Sequence, residues 1–167
     1  MKRIVEVVCI FLIFLLQSTL FQHISFAGIV PNLMIIATSA FGFMEGRVDG
    51  MCVGFVCGLL TDIFYGSVLG LNALIYLYIG YANGAANRGF YPDDIKFPLL
   101  FISISDLLYL MLTYFTGFLF RARFDLGYYF IRLMIPELIY TIALSLLIYL
   151  PLRRVFVRID RRREEDE

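Results

Sequence analysis

Glu6, Asp62, Asp106, Arg132 and Glu137 are ionisable side chains set inside long apolar runs. A charge at the centre of a membrane helix costs roughly 2.5–3.5 kcal/mol or more unless it is paired or wet. Each of these residues therefore needs a reason for its place. Glu6 sits near the start of the chain and can reach the interface. Asp62 falls at the end of a helical run, where it reads as an interfacial acid, as a cap for the turn that follows, or as a polar anchor to a neighbouring helix or partner protein. Asp106 lies deeper, about 14 Å into its helix at 1.5 Å per residue, with Ser103 and Ser105 nearby. It reads as an internal polar contact or as a contact used in binding. Arg132 and Glu137 flank Pro136, which removes its own N–H and displaces the carbonyl of residue 132. They are about 500° apart around a helix, so each wants a partner other than the other. Arg132 can snorkel to the surface; Glu137 is placed for a buried contact.

Signals for a reaction are poor. His23 stands at a helix end without a nucleophile beside it. No phosphate-cradling loop, metal-ligand cluster or Cys/His set is present. Asp62 and Asp106 would have to share one depth to act as an acid pair in peptide hydrolysis, and their expected depths differ. Cys9, Cys52 and Cys57 lie in apolar segments, are odd in number and read as packing residues. The expectation is a protein that is not an enzyme, carries no metal or cofactor and binds no nucleic acid.

The elements that must position these groups follow from hydropathy. The chain of 167 residues is 60% hydrophobic, with 17 Phe, 11 Tyr, no Trp and a net charge of zero; its mean hydropathy is +0.82. Its charges gather at the ends and in short gaps. Apolar runs near the length that spans a bilayer predict an all-α integral membrane bundle with helices at about 4–21, 30–44, 51–64, 69–86, 97–120 and 128–150. Residues 1–152 form one membrane domain and 153–167 a charged cytoplasmic tail. The second helix is short for a span and starts with Pro31, a residue suited to a first helical turn. The first run lacks a small-residue cleavage site and reads as an uncleaved span. Lys2 and Arg3 before the first helix, and the arginines after the sixth, favour cytoplasmic termini and an even number of spans. The loop with Arg121 and Arg123 runs against that pattern. Asn32, Asn72, Asn83 and Asn87 read as helix caps or interhelical hydrogen-bonding groups. Tyr76, Tyr78, Tyr81, Tyr128 and Tyr129 read as belt and packing aromatics.

Glycine recurs at every fourth position through Gly42, Gly46, Gly50, Gly54 and Gly58; Asp62 takes the next place, then Gly66 and Gly70. Glycine weakens a helix in water by about 1 kcal/mol relative to alanine. In lipid, small residues let helix backbones approach closely. The stripe of Gly50, Gly54 and Gly58 drifts only about 80° around the helix, so it can seat one neighbour, either within the fold or from a single-span partner. The third helix is accordingly read as the central one.

Pro31-Asn32, then Gly50-x3-Gly54-x3-Gly58-Leu59-Leu60-x-Asp62, then Gly66, Gly70-Leu71-Asn72-Ala73-Leu74 and Gly80-Tyr81 together resemble the rod shape-determining protein MreD family. The motif region covers roughly residues 30–90; the last two helices agree mainly in hydropathy. The resemblance implies a non-catalytic scaffold of the cell-wall elongation machinery in the bacterial inner membrane, working with MreC. Through MreC it would meet MreB, the glycosyltransferase RodA and a class B penicillin-binding transpeptidase. Gly50, Gly54, Gly58, Asp62, Gly66, Gly70 and Asn72 would then serve helix packing or a partner interface. The family also resembles the membrane fold of substrate-binding subunits of energy-coupling-factor transporters. That keeps open a small-molecule or lipid-binding subunit, which would need a cavity lined by groups such as Asp106, Glu137 or Arg132.

Overall fold

The computed structural model describes residues 2–21, 30–66, 68–86, 95–121, 127 and 130–165, and every regular element among them is helical. Helix α1 (Lys2–Leu16) is prolonged by a π-helical turn, Gln17–Phe21. Then come α2 (Leu33–Glu45), α3 (Arg47–Tyr65), α4 (Leu71–Ala86) and α5 (Lys96–Arg121). A second π-helical turn, Phe130–Met134, leads into α6 (Ile135–Glu165). Three helical stretches are long and apolar enough to cross a membrane: Arg47–Tyr65, Lys96–Gly117 and Phe130–Val155. Leu33–Glu45 is apolar but shorter.

That short helix, rather than the glycine-rich one, lies at the centre. From Leu33 to Phe41 every residue of α2 is fully buried, and α2 touches each of α1, α3, α4, α5 and α6. The sequence explains its place. Apart from Thr38 and Ser39, this stretch has no polar residue, and a helix apolar all round belongs in an interior. Its 13 residues rise only about 20 Å, short of the roughly 30 Å hydrocarbon layer. The mismatch has no consequence for a helix that meets protein on all sides.

The N-terminus of α2 is enclosed with it, so its free backbone donors need partners. Asn32 Oδ1 accepts from the Ile35 N–H at 3.2 Å, Gln17 Oε1 from the Met34 N–H at 3.1 Å, and Thr141 Oγ1 from the Asn32 N–H at 3.4 Å. At its other end α2 passes into α3 through a single residue, Gly46, whose φ of 98° lies in the region that favours glycine.

Two prolines lie in α6. Pro136 falls in the first turn of α6, directly after the π-helical turn, so the irregular backbone precedes it. Pro151 does not end the helix: α6 runs through it into the charged tail as far as Glu165. His23, Asn87, Arg123, Tyr128 and Tyr129 lie outside the described residues.

Candidate functional site

The glycine stripe is used inside the molecule. A Cβ built on Gly54 would run into the Tyr76 carbonyl of α4, and one on Gly50 into the Gly80 carbonyl. At Gly58 it would come within 2.5 Å of the Ala73 Cα. The relation is mutual, since a Cβ on Gly80 would meet the Gly50 carbonyl. Gly42 of α2 joins the same crossing: its Cβ would stand 2.7 Å from the Gly80 oxygen. Backbone therefore lies on backbone where α2, α3 and α4 meet, an approach open only to residues without side chains.

Asp62 closes the far end of this contact. It is 3% exposed. Its Oδ2 accepts from the N–H groups of Gly70 and Ala73, each at 2.9 Å; its Oδ1 accepts from the Asn72 N–H at 3.1 Å and the Asn72 side-chain amide at 2.9 Å. These are donors at the N-terminus of α4, where a negative charge also meets the positive end of the helix dipole. A carboxylate on α3 thus caps α4 across the interface. Gly66 packs behind it, where a Cβ would meet the Asp62 backbone oxygen at 2.6 Å. Gly70 turns the chain with φ 98°. With Asp62 occupied in this way, no free carboxylate remains there for an acid pair with Asp106.

A second polar network crosses the interior on α4. Tyr76 is fully enclosed rather than in a belt, and its hydroxyl donates to Asn32 Oδ1 at 3.0 Å. Its ring meets Tyr109 of α5 edge-on, with centroids 5.3 Å apart. Asn83 donates to Ser105 Oγ at 2.8 Å and to Ser39 Oγ at 3.4 Å, joining α4 to α5 and α2. Tyr78 and Tyr81, by contrast, face outward.

The remaining charged candidates divide. Asp106 is fully buried, with the Thr141 side chain beside its carboxyl group. Its neighbour in sequence, Ser105, serves Asn83, and Ser103 bonds the Leu99 carbonyl at 2.8 Å. Glu137 is half-buried, while Arg132 is exposed. Glu6 is buried beside Arg3, which reaches Asp49 at 2.5 Å and so ties the start of α1 to the start of α3.

Between the helix ends opposite the chain termini lies a cavity of about 230 Å³, lined by Gln17, Asn32, Thr61, Tyr76, Tyr109 and Glu137 among others. A second cavity of about 310 Å³ adjoins it, sharing Thr61, Tyr65 and Tyr109. Of this lining, Gln17, Thr61, Tyr109 and Thr113 were not singled out by sequence, nor was Thr141 behind it. The signal was their helical spacing from residues that were: Asp106, Tyr109 and Thr113 follow at three and four, Glu137 and Thr141 at four.

Among the described residues every regular element is helical, and three apolar helices of spanning length with polar groups gathered between helices fit the class of helical membrane proteins. The family model of the rod shape-determining protein MreD matches residues 1–159, and the chain belongs to that family. No curated protein and no solved structure matches it.

Proposed function

We propose that the protein is a non-catalytic scaffold of the cell-wall elongation machinery in the bacterial cytoplasmic membrane. In this reading the helices make six spans, α2 being a short one sheathed by the others, and both termini are cytoplasmic. The protein binds MreC, and through it RodA, a class B penicillin-binding transpeptidase and MreB. The observation that carries this is the match of residues 1–159 to a rod shape-determining family. The use of the glycine stripe and Asp62 within the chain supports a rigid core. It leaves partner contact to outward faces, such as that of α1 with Ile4, Val7, Val8, Phe11 and Leu12 exposed, where the lipid bilayer is the other neighbour.

The test is what co-purifies with the tagged full chain in mild detergent. MreC and the peptidoglycan synthases in that pool are the expected result. An energy-coupling ATPase module in their place would select a small-molecule or lipid-binding transporter subunit instead. The polar cavity lined by Glu137 favours that second reading over a bundle closed throughout.

A further inference from the structure

Helices α4 and α5 follow one another along the chain yet barely touch. They are joined at the floor of the gap between them. Asn83 donates there to Ser105 Oγ and Ser39 Oγ, and Phe101 meets Phe43 of α2 with ring centroids 6.1 Å apart. Above this floor runs an open groove of about 590 Å³, larger than either polar cavity. Its walls are Leu74, Tyr78 and Tyr81 of α4 against Ile104, Leu108 and Leu112 of α5, all exposed. The spacing of three and four makes each wall one continuous stripe. Each stripe rises about 10–12 Å, close to the depth of one leaflet, half of the roughly 30 Å hydrocarbon layer.

A cation stands at the end of the groove nearest the start of the chain. Arg47, the first residue of α3, holds its guanidinium 5.8 Å from the centre of the Tyr81 ring. Its Cα lies against Gly84, three residues beyond Tyr81 on α4, and its side chain is exposed. Asp49, two residues on, is taken by Arg3. A partner helix, a second copy of the chain and a lipid could each cover such a groove, and the walls favour the lipid. Close docking of a helix needs small residues, and the α4 glycines are used elsewhere, Gly80 against Gly50 and Gly84 against Gly46 of the α2–α3 turn. The bulky side chains that remain suit a chain that can bend between them. A guanidinium is matched in shape and charge to a phosphate.

We propose that the α4–α5 groove is a binding site for an anionic phospholipid, with an acyl chain between Tyr78 and Leu108 and the phosphate at Arg47. The site is independent of the scaffold reading, because it rests on the groove and its cation and not on any protein partner.

The test uses the full chain in mild detergent. Native mass spectrometry compares retention of phosphatidylglycerol with that of phosphatidylcholine carrying the same acyl chains. About fivefold preference for phosphatidylglycerol is expected, the factor that one nearby cation gives on an anionic lipid. Arg47→Gln should bring the ratio close to one with size-exclusion elution unchanged. Leu108→Trp, which fills the groove, should lower retention of both lipids. Position is read on the wild-type chain with phosphatidylglycerol that carries a photoactivated diazirine on its acyl chain. Adducts on the facing walls of α4 and α5 are expected, and they decide the matter should either variant fail to fold. Adducts spread equally over the outward faces of α1 and α3 overturn the proposal, as does an unchanged lipid ratio in a folded Arg47→Gln. A dimer whose groove walls carry no adduct assigns the groove to a second copy and overturns it as well.

Discussion

Asp62 shows how one side chain can join two helices. Its carboxylate takes three backbone donors and one amide from the start of α4, and hydrogen bonds to a charged group contribute about 1.5–3 kcal/mol each. Asp62→Ala is expected to cost about 3 kcal/mol or more, seen as unfolding at lower dodecyl sulfate concentration. Asp62→Asn keeps one acceptor and should cost about half as much. The glycines act through absence. Gly54→Ala puts a methyl group against the Tyr76 carbonyl and should reduce the yield of folded, monodisperse protein; Gly54→Leu should reduce it further. Gly117→Ala is the matched control, since a Cβ there meets nothing within 4 Å, and its yield should equal that of wild type.

Helix α2 is the element the others are built around. It is enclosed from Leu33 to Phe41, so loss of side-chain volume there leaves a void that lipid cannot fill. Phe41→Ala is expected to destabilise by about 3–5 kcal/mol. Phe11→Ala on the outward face of α1, where the ring is 56% exposed, should leave the dodecyl sulfate midpoint within experimental error. Equal effects of the two would contradict a central α2. The pairing of α3 with α4 is of another kind: their backbones touch directly, and polar caps fasten the end. This arrangement leaves α5 and α6 to complete the wall around Asp106 and Glu137.

The whole molecule is an antiparallel bundle whose two ends differ. One end holds the Arg3–Asp49 ion pair between α1 and α3; the other holds the polar cavity. In the proposed orientation, which follows the positive-inside pattern, the first lies in the cytoplasm. Single cysteines at exposed positions test this in a chain whose native Cys9, Cys52 and Cys57 are replaced. Val48→Cys, at the start of α3, should react with a membrane-impermeant thiol reagent only in inverted vesicles. Val68→Cys, near the start of α4, should react in intact cells. The reverse pattern would turn the protein over, and labelling of both from one side would remove α3 as a span.

Much of this was legible from residue order. The helices followed from apolar runs, because a backbone in lipid must satisfy its own hydrogen bonds. The glycine stripe announced a close backbone contact, and the acid at its end could be read as a cap or an anchor, because both are local consequences of spacing along a helix. Which neighbour fills the stripe is a matter of three dimensions: Tyr76 and Gly80 of α4 do so, and nothing in a four-residue repeat names its mate. The same holds for the central position of α2 rather than α3, since a short apolar helix and a long one look alike until their surroundings are counted. The gathering of Asp106, Glu137, Thr141 and Tyr109 at one end comes from packing α5 against α6. Residues distant along a chain meet only through the geometry of the elements that carry them.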